Sequence, residues 1–235
     1  MAVIYNASKV VTDGLVFCLD PANPRCDIDA TNVKDIILKS EFELLNGAQI
    51  GNNYVKSLIF DGTNDRTATN IPSLNFAAIG ENFTLDIICR SLDSSAPNAA
   101  ACIGTNGWHL GNFYASQWNW RISGPDEGDG SVSRYAHLGI SVNDSTIYHF
   151  QLYKDHPLIG GRVIKVEDDS IAKSDFTVDW DSQGDTLSTG SLTMGKAASS
   201  SNYLNCEIFS VRIYNKVLSS EEMEINRASL RRRFV

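Results

Sequence analysis

Glu207–Val235 reads EIFSVRIYNKVLSSEEMEINRASLRRRFV, and its first half decides the fold. Phe209, Val211 and Ile213 alternate with Ser210 and Arg212, the period-two pattern of a strand with one apolar face on a core. Asn215 and Lys216 break that pattern. Ser219 is placed to cap a helix, and Glu222 stands three residues on to complete a capping box. Leu218 and Met223 are placed for the hydrophobic staple across that cap. A half-buried strand, a turn and a short helix therefore close the chain.

Upstream, the same strand-and-turn grammar recurs. Gly14–Asp20 is an apolar run stopped by Pro21-Ala22-Asn23-Pro24, since prolines cannot continue a ladder. Ser57–Phe60 runs into Asp61-Gly62, a strong turn signal. In Phe83–Cys89, residues Phe83, Leu85, Ile87 and Cys89 share one face. Further strands are expected at Ala100–Gly104, Gly107–Leu110, Ser145–Tyr153, Gly161–Val166 and Leu192–Gly195, and between them lies an aromatic centre, Phe113-Tyr114 followed by Trp118–Ile122. Val33–Leu45 fits either a short helix or a strand with a loop. About ten short strands bounded by Gly, Pro, Asn and Asp describe an all-β sandwich or barrel. No internal repeat or linker divides residues 1–235, so a single domain is expected.

Composition narrows the function. Of 235 residues only 20% are charged, and the net charge is −8. An acidic chain argues against nucleic acid, whose phosphates need a basic surface. Residues 225–235 hold four Arg and no acid; with +4 there and −8 overall, the remainder carries −12. Arg227, Arg231, Arg232 and Arg233 are thus candidates for docking on an acidic neighbour. A solvated helix end, where cations suit the C-terminal dipole, also accounts for them and is the preferred reading. The five cysteines are widely spaced with no CxxC pair, so zinc is not expected. Cys18, Cys89 and Cys206 fall in apolar runs as small core residues, and free thiols suit a reducing compartment. Cys18 and Cys26 could close a small loop. MAVIYNASKVV lacks the form of a targeting segment, and no run approaches a membrane span.

Four stretches together resemble one family. They are GLVFCLDPANP (Gly14–Pro24), SLIFDGTND (Ser57–Asp65), ENFTLDIICR (Glu81–Arg90) and EIFSVRIYNKVLSSEE (Glu207–Glu222). In this order they are similar to the laminin-G-like (LamG) branch of the concanavalin A-like lectin/glucanase superfamily. The resemblance implies a jelly-roll sandwich of two antiparallel sheets with a short C-terminal helix. In such a fold the first and last strands meet. The sequence departs from the family pattern at Ile87-Ile88, where a Trp is common, and at Glu167–Ser170, where an Asn-Gly hairpin is frequent.

Catalytic chemistry is not legible. Glucanase relatives need paired carboxylates across a cleft, and neither Glu167-Asp168-Asp169 nor Asp179-Trp180-Asp181 has that form. There is no GxSxG, HExxH or phosphate-binding glycine loop. His109, His137, His149 and His156 are scattered, and His149 reads as structural. The expectation is a non-enzymatic protein. Trp118 and Trp120 would project to one face of a strand about 6–7 Å apart, with Trp108 and Tyr114 near in sequence. Such a face could stack sugar rings; that these rings fill the core is the preferred reading. Asp126, Glu127 and Asp129 offer oxygens to Ca²⁺, although a plain exposed loop accounts for them and is preferred.

Stand-alone chains of this kind resemble virion structural proteins of tailed bacteriophages: capsid decoration, tail or fibre-associated proteins folded in the host cytoplasm. The expected partners are other virion proteins, an acidic surface of a neighbouring subunit, and host surface glycans, with the chain oligomeric in the particle. The alternative is a soluble carbohydrate-binding lectin or adhesin using an aromatic face.

Overall fold

The computed structural model describes residues 10–234 apart from 27–28, 30, 53–54, 68–81, 93–99, 106–107, 115, 126–130, 180–191 and 197–201. Its strands are β1 (Leu15–Leu19), β2 (Asn32–Lys34), β3 (Glu41–Leu45), β4 (Gln49–Gly51), β5 (Ser57–Asp61), β6 (Arg66–Thr67), β7 (Phe83–Ser91), β8 (Ala100–Gly104), β9 (Trp108–Tyr114), β10 (Gln117–Pro125), β11 (Ser131–Ser141), β12 (Tyr148–Asp155), β13 (Leu158–Lys165), β14 (Ile171–Asp179), β15 (Thr193–Met194) and β16 (Asn205–Tyr214). The helix α1 (Ser220–Arg231) follows. The larger sheet runs β14-β13-β12-β7-β16-β5-β4, with β1 also on β16, and the second runs β11-β10-β9-β8-β15. Both contribute to one apolar core, so the chain is an antiparallel β sandwich closed by a short helix. A small third sheet, β2-β3-β6, shows that Val33–Leu45 forms strands with a loop.

The first and last strands meet as expected: β1 pairs antiparallel with β16, Phe17 opposite Ile213 and Leu19 opposite Val211. In β7 the apolar row Phe83, Leu85, Ile87 and Cys89 faces the core. Asp61-Gly62 makes its turn, with Gly62 at φ 77° and the Thr63 amide donating to the Asp61 carboxylate. All five cysteines are free and buried, so Cys18 and Cys26 do not pair. Burial pushes the Cys18 thiol up to about 11 and the Cys26 thiol up to about 12. The Cys26 thiol donates to the Lys34 carbonyl at 2.8 Å.

One expectation about the closing strand is corrected. Phe209 does not share a face with Val211 and Ile213. A bulge between Ile208 and Ser210 inserts an extra residue opposite β7, which reverses the side-chain phase before it. Cys206, Ile208, Val211 and Ile213 enter the core, whereas Phe209 packs on the outer side with Ile88 and Leu230. The face bearing Ser210 and Arg212 is buried as well, because α1 lies across it.

That outer side of the larger sheet is a polar layer under α1. Asp86 is fully buried and accepts from Gln151 Nε2 at 3.2 Å and Asn226 Nδ2 at 3.0 Å, and it pairs with His149 Nε2 at 3.0 Å. Gln151 also donates to the Met223 carbonyl at 2.7 Å, and Arg162 Nε donates to Gln151 Oε1 at 2.7 Å. Burial acts to raise the Asp86 carboxyl. The charge and hydrogen bond of His149, aided by Arg212, outweigh that and hold it at about 2. His149 is therefore structural, as its place in a strand suggests.

The helix is held at both ends. Ser219 caps it, with the Glu222 amide donating to Ser219 Oγ at 3.2 Å and Glu222 returning to the Ser219 amide at 2.9 Å. Leu218 and Met223 are buried in one cluster beside Tyr214. At the other end Leu230 is buried against Val55, Ile88, Val166 and Phe209. No described helix is long and apolar enough to cross a membrane.

Candidate functional site

In the second sheet alternation separates two faces. Trp108 and Leu110 on β9, Trp118, Trp120 and Ile122 on β10, and Ala136, Leu138 and Ile140 on β11 all point into the core. The three indoles have 0% exposure. Trp118 lies 5.0 Å from Phe150, and Phe83 lies 6.3 Å from both Trp108 and Trp120, centroid to centroid. Of the two readings of Trp108, Trp118 and Trp120, the sugar-stacking face is thus corrected and the core-filling one holds: these rings fill the sandwich, where their large apolar area stabilises most. Tyr114 is placed only by its backbone, on β9. Asp126, Glu127 and Asp129 lie outside the described residues.

The opposite, outward face carries the residues between the tryptophans. Register places Asn119 beside Gly111 and His137, and Arg121 beside His109 and Tyr135. The Arg121 guanidinium sits 5.8 Å from the Tyr135 ring centroid. Tyr135 and His137 stack at 6.2 Å with 12° between their planes. His137 Nδ1 lies 2.6 Å from Asn119 Oδ1. Asn119 is itself buried and donates through Nδ2 to the Gln117 carbonyl at 2.6 Å. His137 is exposed, and Arg121 and Tyr135 are partly so. Gly139 continues the row into open space, with nothing within 4 Å of a built Cβ. His109 is fully buried at the inner end. Burial, reinforced by the Arg121 charge, lowers its imidazole to about 3, so it is neutral.

This patch combines a cation and two flat rings on a pair of neighbouring strands, with His137 held by the buried Asn119. It can stack on the apolar face of a sugar ring and donate hydrogen bonds to hydroxyl or carboxylate oxygens. Sequence reading places Trp118 and Trp120 on one face but does not follow the complement, Asn119 and Arg121, to the other. The strand with Tyr135 and His137 is also absent from the sequence-derived set. Its signal was present: Ala136, Leu138 and Ile140 alternate with Tyr135, His137 and Gly139.

The arginines of the last residues belong to the fold. Arg227 pairs with Asp169 at 2.8 Å and Glu224 at 3.1 Å, and Arg231 pairs with Asp169 at 2.8 Å. Arg233 pairs with the buried Asp20 at 2.6 Å. Phe234 packs edge-on against Phe209 at 5.2 Å. The tail expected to dock on an acidic neighbour is docked on the chain's own acids, because α1 brings its C-terminal half against the turn before β14. Arg232 is exposed.

No family model matches the chain, and the search of curated proteins finds no match. Solved structures do resemble it in fold. A receptor-binding domain of botulinum neurotoxin mosaic serotype C/D superposes with a TM-score of 0.66 at 14% identity, over 93% of this chain and 51% of that one. The binding domain of botulinum neurotoxin DC in complex with rat synaptotagmin II gives 0.61 at 13% identity, over 92% and 51%. The same binding domain in complex with SialylT gives 0.57 at 10%, over 93% and 51%. The chain spans about half the length of these structures. At such identities the likeness establishes the β-sandwich fold alone.

Proposed function

We propose that this chain is a non-enzymatic, lectin-like binding domain that holds a glycan on the outward face of the second sheet, around Arg121, Tyr135 and His137. The Arg121–Tyr135–His137 stack carries the reading. It sets a cation and two parallel-lying rings on neighbouring strands, where most surface rings would be isolated. Sandwich neighbours whose names include receptor-binding and complexes with synaptotagmin II and SialylT support a recognition role by analogy of fold. Kinship with the concanavalin A-like LamG jelly rolls, and a place in a tailed-phage virion, are part of the same proposal and rest on the sequence resemblance. The five free thiols accord with folding in a reducing compartment.

A glycan array probed with the intact protein tests the reading. The expected result is selective binding that Tyr135→Ala and Arg121→Gln each abolish without changing the melting temperature. Wild-type protein that binds no glycan, or binding indifferent to both substitutions, would overturn it.

A further inference from the structure

At one corner of the sandwich the chain passes from the second sheet to the larger one. Tyr203 bridges to Ala101 on β8, and the Leu204 amide donates to the Gly195 carbonyl at 3.1 Å. By Asn205 the chain has entered β16. Cys102 of β8 meets Cys206 of β16 and Cys89 of β7 in the shared core, all three with 0% exposure. The Cys102 thiol is in hydrogen-bond contact with both of the others. We propose that Cys102 and Cys206 form a modification site, which hydrogen peroxide oxidises to a disulfide that staples the two sheets.

Local structure aims Cys102 inward. A bulge between Ala101 and Ile103 breaks the alternation of β8, so Ala100, Cys102 and Ile103 all enter the core. Register then selects the partner. Cys206 lies opposite Ser91, and Cys89 lies opposite Ile208. The two cysteines of the larger sheet are therefore diagonal neighbours, about 7–8 Å apart and beyond disulfide reach. Cys102 comes from the facing sheet. Packed sheets stand about 10 Å apart, whereas the Cα atoms of a disulfide lie within about 7 Å. The corner is the exception: the backbones of β8 and β16 come within 8 Å of one another, because the chain that bridges to Ala101 becomes β16 two residues later. Cys89 stands one strand further in, on β7 between β16 and β12. Cys206 is thus the partner, and Cys89 a bystander.

One peroxide suffices. The Cys102 thiolate attacks a peroxide oxygen, the O–O bond breaks, and Cys102 becomes a sulfenic acid as hydroxide leaves. The Cys206 sulfur then attacks Cys102 Sγ, which forms the S–S bond and expels the sulfenic hydroxyl. Both sulfurs are oxidised, the peroxide is reduced, and the two thiol protons end in two waters. Burial opposes ionisation of Cys102, but its hydrogen bonds with Cys206 and Cys89 outweigh that and lower the thiol. Buried thiols are ordinarily inert, yet the cover here is thin. Beyond β8 the second sheet ends in β15, a strand of two residues, Thr193 and Met194. Next to it the Gly195 amide donates to the Cys102 carbonyl at 2.8 Å. So short an edge opens locally far more readily than the central strands, and hydrogen peroxide is hardly larger than water.

Treating the folded full chain with hydrogen peroxide tests this, read out by thiol counting after denaturation and by peptide mapping. The five free thiols should fall to three, with one linked pair of peptides, Cys102 to Cys206, that dithiothreitol separates again. Cys206→Ala should keep all four of its thiols, whereas Cys89→Ala should fall from four to two. The link closes a loop of about a hundred residues and so restricts the unfolded chain; the oxidised protein should unfold at a higher urea concentration than the reduced one. Five thiols surviving a dose that fully oxidises free glutathione would overturn the proposal. So would a different linked pair, or a link that forms only once urea has unfolded the chain.

Discussion

Asn226 donates a hydrogen bond through Nδ2 to the carboxylate of Asp86, 140 residues earlier, at 3.0 Å, and both side chains have 0% exposure. This contact joins the last helix to the centre of the larger sheet. Asp86 also faces His149 and the guanidinium of Arg212, the latter at 4.0 Å. Asp86→Ala would leave the Arg212 guanidinium uncompensated in the interior and His149 without its hydrogen-bond partner. It should destabilise the protein by about 3–5 kcal/mol, and Asn226→Ala by about 1–3 kcal/mol. Urea unfolding measures both, and equal small effects would show that the layer is dispensable.

Acid should weaken the fold in two stages. The His109 imidazole is held at about 3 against 6.5 in an open chain. Below pH 6.5 the unfolded chain takes up a proton that the folded one refuses, so stability falls as pH drops from 6.5 toward 3. By pH 5 this amounts to about 2 kcal/mol. The Asp86 carboxyl, held at about 2 against 3.8, contributes stability that is whole above 3.8 and lost as pH falls through 2. Denaturant midpoints of wild type and His109→Gln at pH 7 and pH 5 check the first stage. The variant should show the smaller loss.

Trp118 should matter to folding and not to recognition. Trp118→Ala is expected to cost about 3–5 kcal/mol through the cavity it leaves. Trp118→Phe should keep the fold and every ligand affinity. A selective fall in glycan binding in the Phe variant would return Trp118 to the functional surface.

Cutting the chain after Leu230 should not leave stability intact. The cut removes the Arg231 and Arg233 ion pairs and the Phe234 contact with Phe209. Buried Asp20 loses its partner, and part of a phenyl ring is lost from the outer cluster, together worth about 3 kcal/mol. Thermal unfolding of the shortened chain against the full one measures this directly.

Much of the architecture was legible because it rests on local rules. The Ser219–Glu222 cap, the Asp61-Gly62 turn, the apolar row of β7 and the pairing of first and last strands are readable from spacing or resemblance. Phe209 was misplaced because a bulge depends on the partner strand, which no local pattern reports. The arginines seemed surplus because their acids, Asp20 and Asp169, are remote in sequence. The tryptophans mark the core side of β10: a strand with large apolar residues on one face carries its polar residues on the other. Asn119 and Arg121 were visible as the complement of that pattern.

The helix α1 lies over the outer side of the larger sheet, whereas Arg121, Tyr135 and His137 look outward from the second. The sandwich is thus vectorial. A chain immobilised through an exposed position on α1 would present the Arg121 face away from the support. Attachment there should preserve glycan recognition, and attachment through an exposed position on β11 should hinder it.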